Sequence, residues 1–358
     1  MHLFKLLLFP FSILYDFITR FRNHLYDIGN KPSVRFDVPV VNVGNITVGG
    51  TGKTPHIEYL IRNLKSDFKL GTLSRGYGRK TKGLVIADHE ANAKKIGDEP
   101  FQFYSKFGDE ITVAVCEERI IGIPAILSEA PETEVVLLDD AFQHRKVKPQ
   151  LNILLTDYKR LFTKDFVLPF GRLRESRYGA KRADCVIVSK CPEDLEEREK
   201  NQIEEEIIHY TKPETPVFFT KISYGVPKAV FDNNSSSEAS LQKANLFLVT
   251  GIANSQYLTS ELEKEAVVLG HKEFPDHHEY ALSDAEKIIA AFQKLSGREK
   301  YILTTEKDAV KFRSPEFQEL FRNIPFYYLP IEVSFQNGES DFLAIVKNKI
   351  REANRNNK

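Results

Sequence analysis

At 358 residues the chain exceeds one comfortable hydrophobic core, so two domains, or one with a large appendage, are expected. Fifty basic and fifty acidic residues cancel at a pI near 7.1, which removes the global electrostatic case for a nucleic-acid partner. Cys116, Cys185 and Cys191 form no C-x-x-C pair and no even set, so they read as reduced packing residues of a cytosolic chain.

The first segment, 3–21, reads LFKLLLFPFSILYDFITRF, with Arg20, Arg22 and His24 at its end. Lys5, Pro10 and Asp16 leave an unbroken apolar part of about ten residues where about twenty are needed to cross a bilayer, so a spanning helix is not expected. No small-residue cleavage site follows, which argues against a removable signal peptide. The reading is an interfacial helix with aromatic anchors and flanking arginines; the alternative is a helix packed on the protein's own core.

An apolar strand over 38–43 then runs into Val43-Gly44-Asn45-Ile46-Thr47-Val48-Gly49-Gly50-Thr51-Gly52-Lys53-Thr54-Pro55. Glycines in this elbow let successive N–H groups face an anion at the start of a helix. Lys53 is placed to neutralise terminal phosphate, and the Thr54 hydroxyl to hold magnesium. The pattern G-x-x-x-x-G-K-[ST] is met at its chemical end, with Thr47 in the place of its first glycine. The alternative is an ordinary glycine-rich strand–helix turn.

A helix over 57–64 and a strand over 69–73 lead to Ser74-Arg75-Gly76-Tyr77-Gly78-Arg79-Lys80, basic groups among glycines suited to a phosphate or to sugar hydroxyls. After a strand over 83–87, Gly97-Asp98-Glu99-Pro100 sets a carboxylate pair in a turn; Pro100 suits the first position of a helix beginning at Phe101, and Asp98 could be no more than its cap. Following a strand over 111–115 and a helix over 119–127, the apolar strand 135–138 delivers Asp139 and Asp140. Neighbouring residues of an extended chain face opposite ways, so one acid can meet a metal and the other a substrate or a supporting group. Strands over 153–156, 185–189 and 217–222 and a helix over 195–210 continue the alternation, and 169–175 adds Arg172, Arg174 and Glu175 in a loop.

Tyr224-Gly225-Val226-Pro227 and a polar loop over 231–242 mark a boundary near 223. Beyond it, strands over 244–250 and 301–305 and a helix over 284–295 form a second α/β unit. Its Phe274-Pro275-Asp276-His277-His278-Glu279-Tyr280 run lacks the helical spacing of a zinc motif and suits acid–base work, unless Asp276 only caps a helix. The charged tail 351–358 is expected to fray. The fold expected is α/β: a P-loop NTPase-type, mainly parallel sheet flanked by helices, with a second smaller α/β domain. The segments are 1–28 (membrane-associating helix), 29–222 (P-loop domain), 223–328 (smaller α/β domain) and 329–358 (C-terminal segment).

Taken together, 43–55, 74–78, 97–100, 138–140 with Gln143-His144, 173–175, Asp276-His277 and Thr305-Glu306-Lys307-Asp308-Ala309-Val310-Lys311 resemble the tetraacyldisaccharide 4'-kinase family of lipid A biosynthesis over most of the chain. Thr47 is itself a trait of that family. The resemblance implies transfer of the γ-phosphate of ATP to the 4'-hydroxyl of a tetraacylated disaccharide 1-phosphate, giving lipid IVA. Asp98, His277 and Lys53 map to catalytic positions. Thr47, Val48, Gly49, Gly50, Thr51, Gly52, Lys53 and Thr54 map to the ATP-binding loop, with Mg2+ on Thr54, Asp139 or Asp140, and Glu99. Arg75, Tyr77, Gln143, His144, Arg174 and Glu175 are expected to meet substrate, and His278 could exchange roles with His277. Family members carry a two-stranded linker, so His277 would reach Asp98 only on domain closure, and 329–358 would return to the kinase domain. The expected location is the cytoplasmic face of the inner membrane, peripheral or anchored by the first helix, as a monomer whose partners are the lipid A precursor and the membrane surface. A second reading is a partitioning or switch-type P-loop ATPase or GTPase, but Val48 stands where those proteins carry a second lysine, and no N-K-x-D occurs.

Overall fold

The computed structural model describes residues 2–231, 238–252, 255–297 and 299–356. The centre of the expected polar loop, 232–237, and the last two residues of the tail lie outside these. Among the described residues the strands are β1 (Val40–Gly44), β2 (Leu70–Ser74), β3 (Val85–Ile86), β4 (Ile111–Val115), β5 (Val135–Asp139), β6 (Leu151–Asp157), β7 (Cys185–Ser189), β8 (Val217–Tyr224), β9 (Lys228–Ala229), β10 (Asn245–Thr250), β11 (Val267–Glu273), β12 (Lys300–Thr305), β13 (Phe326–Leu329) and β14 (Ile331–Phe335). The helices are α1 (His2–Asp27), α2 (Lys53–Leu64), α3 (Ala93–Ile96), α4 (Asp98–Phe107), α5 (Arg119–Glu129), α6 (Glu197–Ile208), α7 (Gln256–Leu262), α8 (Leu282–Lys294), α9 (Glu306–Ala309), α10 (Pro315–Leu320) and α11 (Glu339–Asn356).

A nine-stranded sheet runs β14-β8-β7-β6-β1-β5-β2-β4-β3, parallel from β8 to β4 and antiparallel only at its two edges. Its central strands β1, β2, β5 and β7 are buried along their whole length, as a parallel sheet covered on both faces requires. The alternation of side chains sorts them: Val41, Val43 and Leu137 meet Ile57 and Leu60 of α2, whereas Val40, Val136 and Leu138 meet Ile123 and Ile126 of α5. β1 lies between β5 and β6, so the loops after β1 and β5 emerge side by side at the carboxyl edge of the sheet, where such sheets bind ligands.

The small sheet, β11-β10-β12-β13-β9, is parallel apart from β9 and packs Phe247, Ile302 and Phe326 against Ile288 and Phe292 of α8. β8 leaves the large sheet toward it, and β14 returns antiparallel to β8, pairing Ile331 with Tyr224 and Phe335 with Thr220. α11 then lays Phe342, Val346 and Ile350, spaced four apart, into the same core as α2. This corrects the expectation of a frayed tail from residue 351, because the helix reaches Asn356. α4 likewise begins at Asp98 rather than 101: Gly97, at φ 94°, turns the chain, and the missing N–H of Pro100 is one that a first turn leaves unbonded anyway.

Among the described residues no helix is long and apolar enough to cross a membrane. α1 nevertheless exposes Leu7, Phe11, Ile13, Leu14, Phe17, Ile18 and Phe21, each more than half accessible. Its polar edge holds it to the large unit: the Ser12 hydroxyl accepts from the Phe170 N–H (2.8 Å), Arg22 donates to the Gln143 carbonyl (3.0 Å), and Asn23 donates to Glu175 (2.7 Å). The helix is therefore docked by hydrogen bonds and leaves most of its apolar surface unburied, contrary to the alternative of packing on the core.

Candidate active site

After β1 the chain curls into α2, and the curl is braced from behind. Asn45 Nδ2 donates to Thr51 Oγ1 (2.7 Å), Ser189 Oγ donates to the Thr51 carbonyl (2.9 Å), and the Val48 N–H donates to the Arg172 carbonyl (2.8 Å), while Lys190 reaches the Gly50 carbonyl. Thr47 is buried and bridges to Leu173, so a side chain in place of the first motif glycine is housed in the interior. Gly49 and Gly52 take φ of 112° and 80°, which a Cβ would strain. Gly52 occupies the N-cap position of α2 without a side-chain cap, so the first-turn N–H groups, those of Lys53 and Thr54 included, are left for an anion. His56 pins this start, pairing Nδ1 with the Gly52 carbonyl (2.7 Å) and Nε2 with Thr220 (3.1 Å); burial pulls its pKa down to about 4, so it adds no charge.

The two acids at the end of β5, its last residue Asp139 and the following Asp140, differ as their alternation demands. Asp140, at φ 49°, accepts from Arg174 through both oxygens (2.9 and 3.0 Å) and lies 3.7 Å from Lys53. Burial works against its ionisation, but Lys53 and Arg174 outweigh it and hold the carboxyl below its usual range. Asp139 is buried; burial pushes its pKa up to about 7, opposed by Lys53, reinforced by Asp140 and Glu99, and opposed again by Arg119. Its Oδ2 accepts from Ser74 at 3.4 Å, and its Oδ1 is buried with no hydrogen-bond partner among the described residues. An orphaned carboxylate oxygen next to Lys53 and within the field of Glu99 fits a hard divalent cation, which takes oxygen ligands from one or two carboxylates. Among the described residues no cluster of three or more His, Cys, Asp or Glu forms a protein cage for a metal.

Asp98 begins α4, and its Oδ2 lies 3.1 Å from His277 Nδ1 and 3.3 Å from Lys311 Nζ. Expected to wait for domain closure, the Asp98–His277 contact is already made in this structure. Burial opposes ionisation of Asp98, but the His277 hydrogen bond, Lys311 and Lys307 hold its pKa below the ordinary value. Glu99 faces Lys307 at 3.5 Å, and the exposed Tyr77 ring sits 5.1 Å from the His277 ring. His278 turns away to Asp284 (2.9 Å).

Of the expected substrate residues, Arg75 and Tyr77 are exposed, Tyr77 beside this pair, and His144 is half-buried; burial, with Arg119 and Arg75, lowers its pKa to about 4. Gln143 donates to the Asn45 carbonyl and to Glu175 (2.9 Å each) and accepts from Arg174 (3.3 Å). Glu175 requires a correction: it is buried at 3% exposure and accepts from Asn23, Gln143 and Arg182, so it ties α1 to the site and does not offer itself to a ligand. Arg119 escaped the sequence reading; fully buried, it donates to the carbonyls of Cys116 (2.9 Å) and Asp139 (3.1 Å), fixing the end of β5.

A glycine-rich anion loop, a lysine and a threonine at a helix start, a buried acid with a free oxygen and a second α/β unit reaching over the edge define a P-loop phosphotransferase. Residues 4–351 match the family profile described as tetraacyldisaccharide-1-P 4'-kinase. The chain is 45% identical to the tetraacyldisaccharide 4'-kinase of Flavobacterium psychrophilum, covering 96% of each chain, and 45% identical to that of Bacteroides fragilis, covering 98% of this chain and 94% of the relative. It also resembles the crystal structure of the "apo" form LpxK from Aquifex aeolicus in complex with ATP, at a TM-score of 0.71 and 29% identity over 98% of this chain and 99% of the other. The chain belongs to the tetraacyldisaccharide-1-P 4'-kinase family.

Proposed function

We propose that this protein transfers the γ-phosphate of ATP to the 4'-hydroxyl of a tetraacyldisaccharide 1-phosphate. The observation that carries the assignment of roles is the meeting of Asp98 and His277 across the two units, at the same sheet edge as Lys53 and the uncapped start of α2. The loop amides and Lys53 hold the β- and γ-phosphates. Asp98 takes the sugar hydroxyl proton as the new O–P bond forms and the bond to the bridging oxygen of ADP breaks; His277 holds Asp98 in place. Asp139, Thr54 and Glu99 are the residues that would hold Mg2+, which when bound neutralises phosphate charge. Asp140, tied to Arg174 and Lys53, orients those two cations. Arg75, Tyr77, His144 and Arg174 frame the acceptor sugar. α1, with its exposed Leu and Phe surface and flanking arginines, suits a place in the membrane interface, where a four-chain lipid resides.

Labelled ATP and a detergent-dispersed tetraacyldisaccharide 1-phosphate test the reading. Asp98→Asn and His277→Gln are each expected to lower kcat by about 10²–10⁴-fold with little change in ATP affinity. Near-normal turnover in both variants would reject the assigned roles, and ATP hydrolysis without transfer to the lipid would reject the kinase itself.

A further inference from the structure

On the sheet face opposite α2, the large unit has two separate cores. The one under α5 holds Val40 and Leu138, and the one under α6 holds Leu154 and Val186. Between them β1 and β6 carry Asn42 and Asn152, both buried, where side-chain alternation sets them on this face. Asn42 Nδ2 donates to Asn152 Oδ1 (2.6 Å), Asn42 Oδ1 accepts from the Ala141 N–H (3.2 Å), and Asn152 Nδ2 donates to the Arg182 carbonyl (3.1 Å). Each amide nitrogen has a second N–H beyond these bonds. Both asparagines line a cavity of about 730 Å³, walled by the last turn of α1, by residues within 29–35, 141–150 and 181–184, and by Lys212. A volume of that size suits a small organic ligand.

The chain as a whole is neutral, yet seven of the side chains lining this cavity are Lys or Arg and two are Asp. Both aspartates are already engaged, Asp27 with Arg145 (2.7 Å), and Asp184 with Lys212 (3.2 Å) and the Asn152 N–H (2.9 Å). Arg182 is held by Glu175 (2.8 Å). Lys31, Arg35, Lys148 and Lys181 have no ion-pair partner among the described residues; Lys31 and Lys181 lie over the rings of Tyr26 (5.8 Å) and Tyr178 (5.4 Å). Like charges gathered about one cavity repel, and an anion with several acceptor oxygens relieves that repulsion.

The cavity also adjoins the helix suited to the membrane. Tyr26 and Asp27 of its wall end α1, whose exposed apolar face runs to Phe21, within two turns of them. Ile28 and Val34, each flanked in sequence by wall residues, are exposed, so apolar side chains stand beside the cationic wall. A phosphate carried on acyl chains matches both. On the membrane part of the reading above, we infer that this cavity takes the headgroup phosphate of an anionic phospholipid and so holds the end of α1 at the bilayer surface. Of its lining residues only His144 is among those assigned to the acceptor sugar, which makes this a second lipid site beside the acceptor's own.

The test sediments the full chain, without nucleotide, with phosphatidylcholine vesicles that do or do not contain phosphatidylglycerol. Arg35→Gln combined with Lys148→Gln is expected to weaken binding to the anionic vesicles by about thirtyfold, from the loss of two charges, with binding to neutral vesicles and the melting temperature near wild type. Lys294→Gln combined with Lys349→Gln removes the same net charge from exposed positions elsewhere; an equal loss there would mean diffuse attraction and overturn the cavity's role. Inorganic phosphate and glycerol 3-phosphate form the soluble arm. If either raises the melting temperature of wild type but not of the Arg35, Lys148 variant, while phosphatidylglycerol gives no advantage over phosphatidylcholine, the occupant is a free phosphate and the lipid assignment falls. The acceptor KM, measured in uncharged detergent, is expected to be unchanged in that variant; a rise would make the occupant the acceptor's own phosphate and overturn the proposal. Vesicle binding needs no phosphoryl transfer, so absence of lipid phosphorylation by wild type strikes the kinase reading and is a separate outcome.

Discussion

Replacing Asp139 by Asn is expected to stabilise the nucleotide-free protein while destroying its activity. The carboxyl ionises with a pKa of 3.8 when exposed and about 7 in the fold, because burial disfavours the charge, Lys53 opposes that effect, and Asp140 and Glu99 reinforce it. A carboxyl whose pKa is raised on folding costs nothing below pH 3.8, where both states are protonated; its cost grows as the unfolded chain ionises first and levels off above pH 7. At 1.36 kcal/mol per pH unit the penalty is about 1–2 kcal/mol at pH 5 and about 4 kcal/mol at pH 8. An Asn amide without a buried acceptor returns a constant cost of about 1–3 kcal/mol, which does not depend on pH. The stability of Asp139→Asn relative to wild type should therefore grow by about 3 kcal/mol between pH 5 and pH 8. Urea denaturation at a series of pH values, without nucleotide or divalent cation, measures this directly. A gap constant to within about 0.5 kcal/mol across the series would refute the reasoning, since it would mean that Asp139 ionises freely in the fold.

Lys106→Met removes the cation that the buried carboxylates of Glu58, on α2, and Glu306, on α9, share at 2.5 and 2.6 Å, so urea unfolding at pH 8 should show a loss of about 3–5 kcal/mol. The loss should shrink toward pH 6, because burial already pushes the Glu58 pKa up and a proton can replace the missing ammonium; a pH-independent loss would contradict this. Ile13→Glu with Phe17→Glu places two charges on the exposed face of α1 and should weaken sedimentation with phospholipid vesicles by about a hundredfold or more, while the melting temperature stays near that of wild type. Unchanged vesicle binding would mean that another surface meets the lipid.

Elements with a local signature were legible in the sequence. The runs that became β1, β4, β5 and β7 are short, apolar and bounded by turn residues, and the glycine-rich curl with its Lys and Thr follows a strand as its chemistry requires. What stayed hidden depends on distant partners. β11 reads VVLGHKE and is only half-buried, so no alternation marks it. Pro330, between β13 and β14, is where the chain passes from the small sheet back to the large one, a return that resemblance implied and no local pattern marked. The end of α11 reads as a charged tail from residue 351 because the side chains that pack the helix, Phe342, Val346 and Ile350, all precede it. In the site, Arg119 acts on backbone carbonyls, one of them twenty residues away, which no side-chain pattern records. Glu175 looked available because its three donors come from α1, from the turn after β5 and from residue 182. Asp98 and His277, 179 residues apart, were each marked by the local run they sit in, but their pairing came only from resemblance, and their separation in sequence offered no other sign that they touch.

The return of the chain through β14 has a consequence for how the protein is made. Phe342, Val346 and Ile350 fill the groove beside α2, and they emerge from the ribosome only after the small unit has been synthesised. Until then a nascent chain carries the phosphate-binding curl on a helix whose apolar flank is bare, a surface that invites chaperone capture. Premature termination before residue 339 would thus leave a polypeptide with every catalytic side chain present and an incomplete interior beneath them.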